Sequence, residues 1–157
     1  MFPGRSLSGK TTLVRELLRL GATYYSDEYA VVDDTGLVHP FARPLGIREE
    51  GSYVQTKCAA ETLGASPGTR PLPVGVAVIS EYKKGARWQP TFLSQGQGVL
   101  ELLANSVAIR IQPDQTLMRV HQLARRARFF TGTRGEARDV AASILNLSSQ
   151  QGGLEIA

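Results

Sequence analysis

Apolar positions fall into short runs with two different periods. Leu13, Val14, Leu17 and Leu18 recur at helical spacing, so residues 12–20 are predicted as an amphipathic helix, with Gly21 where a C-terminal cap belongs. Ala22 to Ser26 reads as a short strand ending in Asp27-Glu28, and Tyr29 to Val32 as another. Asp33-Asp34-Thr35-Gly36 is turn chemistry, and Leu37 to His39 is the return strand of a hairpin stopped by Pro40. From 51 to 73 the pattern dissolves into scattered polar residues, glycines and prolines. That stretch is expected to be a long loop, a lid or disordered, with a short helix near 59–63. Val74 to Ser80 is the clearest buried strand and ends at Glu81; Lys83 to Ala86 turns, and Arg87 to Leu93 returns. Ser94 is placed to cap a helix whose inner face would be Val99, Leu100, Leu102, Leu103 and Val107. Pro113 and Asp114 open another, with Leu117, Met118, His121 and Ala124 inward. Arg128 to Thr131 is a short strand, with Phe129 and Phe130 as core. Glu136 to Leu147 is the last helix, with Val140, Ala141, Ile144 and Leu145 inward. One domain over 1–147 and a frayed, flexible tail over 148–157 follow.

Composition narrows the function classes. The 157 residues are 42% apolar, enough for a core. No apolar run approaches the 18 or so residues that span a bilayer, and no signal peptide opens the chain, so no membrane role is expected. The single cysteine, Cys58, cannot form a disulfide within the chain and fits a reducing cytoplasm. The net charge is +4, and arginines crowd the last third at 110, 119, 125, 126, 128, 134 and 138. Such a stripe suits nucleic acid, an acidic partner, a phosphate or solvent; without interleaved exposed aromatics, nucleic acid is the weaker reading. His39 ends a strand where a base role is open. His121 reads as packed, and no histidine, cysteine and carboxylate spacing suggests zinc.

The most specific chemistry opens the chain. Gly4-Arg5-Ser6-Leu7-Ser8-Gly9-Lys10-Thr11 fits the phosphate-binding pattern of glycine, any four residues, glycine, lysine, then serine or threonine. Gly4 and Gly9 let the backbone turn its N–H groups toward an anion, and the following helix presents its positive end to the same place. Lys10 would reach the β- and γ-phosphates, and Thr11 would bind magnesium. Magnesium-ATP is thus expected on residues 4–12, Thr12 included. Such a loop follows a buried strand, yet only Met1, Phe2 and Pro3 precede this one. The strand is therefore expected from a segment upstream of a late start, or from elsewhere. Asp27, at the end of the strand after the loop's own helix, is the candidate general base, and Glu28 beside it a candidate magnesium ligand. Glu81 is the rival acid, and Arg48 is a candidate for charge stabilisation in the transition state.

This order of loop, helix, short strand, acidic pair, hairpin and Arg43-Pro44-Leu45-Gly46-Ile47-Arg48, then a strand ending near Glu81-Tyr82, resembles the catalytic domain of HPr kinase/phosphorylase and its relatives outside sugar-uptake control. Gly4, Ser6, Gly9, Lys10 and Thr11 match the family's loop, while Leu7 stands where a glycine is usual. Asp27 and Glu28 correspond to the family's paired aspartates. The first is thereby implied as the acid–base residue, and the second as lying near the metal. Leu45-Gly46-Ile47 keeps half of the glycine–leucine–glycine–isoleucine signature, so the family's metal-binding glutamate is not carried over. The implied fold is α/β: a mixed sheet around the phosphate-binding loop, flanked by helices, shared with ATP-dependent phosphoenolpyruvate carboxykinase. The implied activity is ATP- and Mg2+-dependent phosphoryl transfer to a hydroxyl of a protein, peptide or small molecule. Hexamers are usual among HPr kinases, which leaves room for a homo-oligomer. Two other classes stand beside this: a nucleotide-binding regulatory or scaffold module without transfer, and a nucleic-acid-linked ATPase.

Overall fold

The computed structural model describes residues 1–4, 8–48 and 54–149. In chain order the elements are α1 (Lys10–Arg19), β1 (Val31–Val32), β2 (Leu37–His39), β3 (Leu45–Arg48) and β4 (Gln55–Cys58). A 3-10 turn at Ala60–Leu63 precedes β5 (Leu72–Pro73), β6 (Val76–Tyr82), β7 (Thr91–Leu93) and α2 (Gln95–Ala104). A second 3-10 turn at Ala108–Arg110 leads to α3 (Pro113–Ala124), β8 (Arg128–Arg134) and α4 (Ala137–Ser149). The chain is mixed α/β, with several small sheets among the described residues.

The central sheet has the order β6-β8-β7. β6 and β8 run parallel with Val76 opposite Arg128 and Tyr82 opposite Arg134, while β7 is antiparallel to β8. Side chains alternate across it as a pleated strand requires. Ala77 and Phe129 enter a core with Leu102 and Leu123 of α2 and α3. Val78 enters the opposite core with Leu13 and Leu17 of α1 and Val140 and Ile144 of α4. Helices therefore cover both faces. A third core, Val14, Leu18, Tyr24, Leu45 and Ala60, joins the far side of α1 to the β3–β4 hairpin.

Local chemistry ends the helices where it should. Gly21, at φ 90°, takes the left-handed position after α1. Its N–H donates to Leu18 and that of Ala22 to Leu17, a Schellman closure. At the start of α2 the Ser94 hydroxyl accepts from Gln97 N–H, and the Gln97 side chain accepts from Ser94 N–H at 2.9 Å.

Met1 supplies a rung the sequence reading lacked. Its amine donates to the Val76 carbonyl at 2.9 Å, and its carbonyl accepts from Val78 N–H at 2.9 Å. That is the parallel-strand pattern on the free side of β6. Residue 1 therefore enters the sheet beside the strand predicted to be most buried.

Several expectations are corrected. Residues 22–26 form no strand; Tyr24 makes one isolated parallel bridge to Pro67, because its neighbour is another extended segment rather than the central sheet. Residues 54–73 are not one irregular loop: β4 pairs with β3 from Leu45↔Cys58 to Arg48↔Gln55, and β5 joins β2. The expected short helix near 59–63 is the 3-10 turn at Ala60–Leu63, while 51–53 lie outside the described residues. The inner faces of α2 and α3 are met in part. Leu102 and Ala124 are buried as expected and Val99 packs against the same core, but Leu100 is 67% exposed and Met118 63%, with Val107, Leu117 and His121 also outward. Gly98, Thr116 and Leu123 are buried in their place. α4 runs two residues past Leu147, so 148 and 149 are helical rather than tail, and 150–157 lie outside the described residues.

Candidate functional site

The site is built at the first turn of α1. Gly9, the N-cap, is left-handed at φ 79°, and a Cβ there would also lie 2.6 Å from Nη2 of Arg134. Both facts restrict the position to glycine. α1 has no side-chain cap and no acidic residue in its own first turn, so the carboxylate that meets its positive end comes from another segment. Lys10 folds its ammonium back over the turn, donating to the Gly4 carbonyl at 2.8 Å and to the Ser8 hydroxyl at 3.3 Å. Partial burial lowers its pKa from the usual lysine value. Arg5, Ser6 and Leu7 lie outside the described residues.

Asp27 meets this turn. Its Oδ2 accepts from the Thr11 hydroxyl at 3.3 Å, and its Oδ1 lies 3.2 Å from the Tyr24 hydroxyl. That hydroxyl is also 2.7 Å from the Arg43 carbonyl. One phenolic proton cannot serve two acceptors fully, and the shorter contact favours Arg43. Burial, and then the charge of Asp27, push the Tyr24 phenol well above its usual value, so it stays protonated. Thr12, on the same turn, is exposed. Thr11 and Asp27, 16 positions apart, thus meet at the helix end that also carries Lys10.

Other candidates fare differently. The Glu28 carboxylate is 55% exposed and faces Arg43 at 3.7 Å. Arg48 ends β3, and its side chain lies outside the described residues. Glu81 is exposed on β6. His39 pairs with Asp33 at 2.8 Å in the β1–β2 hairpin, so its nearest carboxylate is structural. Cys58 contacts the Thr62 hydroxyl. The arginine stripe is dispersed: Arg134 is 2% exposed, Arg119 pairs with Asp34, and Arg128 donates to the Leu147 carbonyl.

Among the described residues no three or more His, Cys, Asp or Glu side chains gather as a metal cluster. A magnesium ion held by one or two protein oxygens and by phosphates needs no such cluster. A cavity of about 510 Å³ opens beside α1, bordered by Lys10, Tyr24, Asp27, Val76 and Arg128, with mainly apolar walls.

Sequence reasoning missed two residues. Tyr24 passed as a strand residue, although its spacing of three from Asp27 was visible. Arg134 passed as one of seven arginines, and nothing local marks it, since its partners at Ser8 and Gly9 lie 126 and 125 positions away. No helix among the described residues is long and apolar enough to cross a membrane. In comparison with known proteins, no family model, curated protein or solved structure matches the chain.

Proposed function

We propose that the protein is an HPr-kinase-like, ATP-dependent phosphotransferase acting on a hydroxyl. The observation that carries this reading is the 3.3 Å contact of Thr11 with Asp27, next to Lys10 at an uncapped helix N-terminus. In this reading residues 4–12 are a phosphate-binding loop within a nucleotide-binding domain. The Lys10 ammonium exchanges its Gly4 and Ser8 partners for phosphate oxygens. The Thr11 hydroxyl is the oxygen that would hold Mg2+, which would supply charge neutralisation on the phosphates, and Asp27 lies beside it as the base. Asp27 accepts the acceptor's hydroxyl proton as the new oxygen–phosphorus bond forms. The bond from the γ-phosphorus to its bridging oxygen breaks, and ADP leaves. Glu28 takes the place of a magnesium ligand in this scheme, from its position beside Asp27 and from the resemblance, and Arg48 that of a transition-state cation, from the sequence reading alone.

The test pairs binding with transfer. Lys10→Ala should abolish ATP binding that the wild type shows with magnesium. Asp27→Asn should keep nucleotide affinity within about threefold, yet lose about a hundredfold to ten-thousandfold of ADP release driven by serine-containing peptides. Unchanged transfer by Asp27→Asn sinks the assignment.

A regulatory or scaffold module that binds nucleotide without transfer is the second reading. It is favoured by the engagement of Glu28 with Arg43. Nucleotide binding without turnover of any hydroxyl acceptor would establish it.

A further inference from the structure

Arg134 carries a charge into the interior, where its hydrogen bonds go to neutral oxygens. It closes β8, and three of its four hydrogen-bonded partners belong to other segments. Nε donates to the Ser80 hydroxyl at 3.3 Å and Nη1 to the Gly135 carbonyl at 3.2 Å. Nη2 donates to the carbonyls of Ser8 at 3.2 Å and Gly9 at 2.9 Å. Burial lowers its pKa, but a guanidinium remains protonated in a protein. The Gly9 carbonyl also accepts from Leu13 N–H at 3.1 Å, so it takes part in the first turn of α1.

The geometry has a directional result. In a trans peptide the N–H points opposite to the carbonyl of the same unit. Drawing the Ser8 and Gly9 carbonyls toward Arg134 turns the N–H groups of Gly9 and Lys10 the other way, away from the guanidinium. Left alone, a buried carbonyl and an outward one are both accessible to a glycine-bearing turn, and the outward one would repel an anion. A guanidinium supplies two or more donors in a fixed plane, which an ammonium does not. It also places a positive charge directly behind the turn.

We propose that Arg134 is a positioning residue that sets residues 8–10 in an anion-binding orientation without touching the anion. This rests on the phosphate-binding reading given above. It adds a dependence of that site on the far end of the chain, through β8.

The experiment uses the whole chain, with ATP and inorganic pyrophosphate, each with magnesium, as probes. The variants are Arg134→Met and Arg134→Lys, with folding checked by circular dichroism and a cooperative melt. Affinity should fall at least about tenfold in Arg134→Met and by an intermediate factor in Arg134→Lys, since an ammonium can still hold a carbonyl. Millimolar methylguanidinium should restore part of the binding lost in Arg134→Met, which a general loss of packing would not allow. Where Arg134→Met does not fold, Arg134→Lys decides by ligand-free amide NMR. The Gly9 and Lys10 N–H resonances should shift and exchange differently with solvent, while amides of α2 stay in place. Wild-type affinity in a folded Arg134→Met, or unmoved Gly9 and Lys10 amides in Arg134→Lys, overturns the inference alone. A wild type that binds neither probe overturns the phosphate reading and this inference with it.

Discussion

Two glycines of α2, two residues apart, should respond to alanine with opposite signs. Replacing glycine by alanine in a helix ordinarily gains about 0.5–1 kcal/mol, mostly by restricting the unfolded chain. At Gly96 nothing lies within 4 Å of the added Cβ, so Gly96→Ala should gain most of that. At Gly98 the Cβ would overlap the Phe129 ring and lie 2.6 Å from its Cδ1, where carbon atoms ordinarily come no closer than about 3.5 Å. The ring cannot simply swing away. Phe129 is 1% exposed, sits at the middle of the central sheet and packs in the core with Leu102 and Leu123. Overpacking a filled core costs about 1–3 kcal/mol, and this overlap belongs at the upper end. After the helical gain, Gly98→Ala should lose about 2 kcal/mol. For a chain of this size that is a drop of about 4–8 °C in melting temperature, against a rise of about 1–4 °C for Gly96→Ala. Urea denaturation of both variants, read by circular dichroism and by the single tryptophan, measures the two differences in one assay. If Gly98→Ala is as stable as Gly96→Ala, α2 does not lie as close to β8 as described.

Two further outcomes concern pH. Burial lowers the Met1 amine from 8.0 to about 6, so the unfolded chain binds more protons than the native one across that interval. Unfolding free energy should therefore rise from about pH 6 to 8, by at most ~3 kcal/mol, and this group should add no slope below or above that window. Acetylating the amine should remove that increment; identical pH slopes with and without acetylation refute it. Asp33 is held well below the usual carboxylate range, first by its His39 partner and then by hydrogen bonds from Thr35 and Leu37. Its contribution is present above the unfolded value of 3.8 and lost as pH falls through the lower native one. Asp33→Ala should destabilise the protein at neutral pH and flatten the acid limb of its stability curve, as read by melts in acidic buffers.

Legibility followed the physics of each element. α1, α4 and β6 were visible because one face or the whole strand meets a core of ordinary aliphatics, so the period shows in the sequence. The β1–β2 turn and the Ser94 cap were visible because a single side chain makes the deciding bond, as Asp33 does to Thr35 and Leu37. The β3–β4 hairpin was not: Gln55-Thr56-Lys57-Cys58 has no apolar alternation and is strand only through its partner. The faces of α2 and α3 were read only in part: Leu102 and Ala124 do point inward, but a rule that sends large residues inward also placed Leu100, Leu117 and Met118 there. It passed over Gly98, whose missing side chain leaves room for the Phe129 ring. At the site, Lys10, Thr11 and Asp27 were drawn from one local stretch and do converge. Glu28 pairs with Arg43 instead, because a chain that bends after Asp27 directs it there. Arg134 was invisible because its contacts with Ser8 and Gly9 span more than a hundred residues.

The rung that Met1 forms on β6 has a consequence for colloidal behaviour. Toward Val74 the same strand edge borders the apolar cavity, with Val74, Gly75 and Val76 along its wall. A strand edge beside an unfilled apolar wall is a template for pairing with any extended apolar chain, including another molecule during refolding. The aliphatic run that makes β6 the best predicted strand is therefore also where intermolecular association would nucleate. Conditions that loosen Met1 from Val76 and Val78 lengthen that edge.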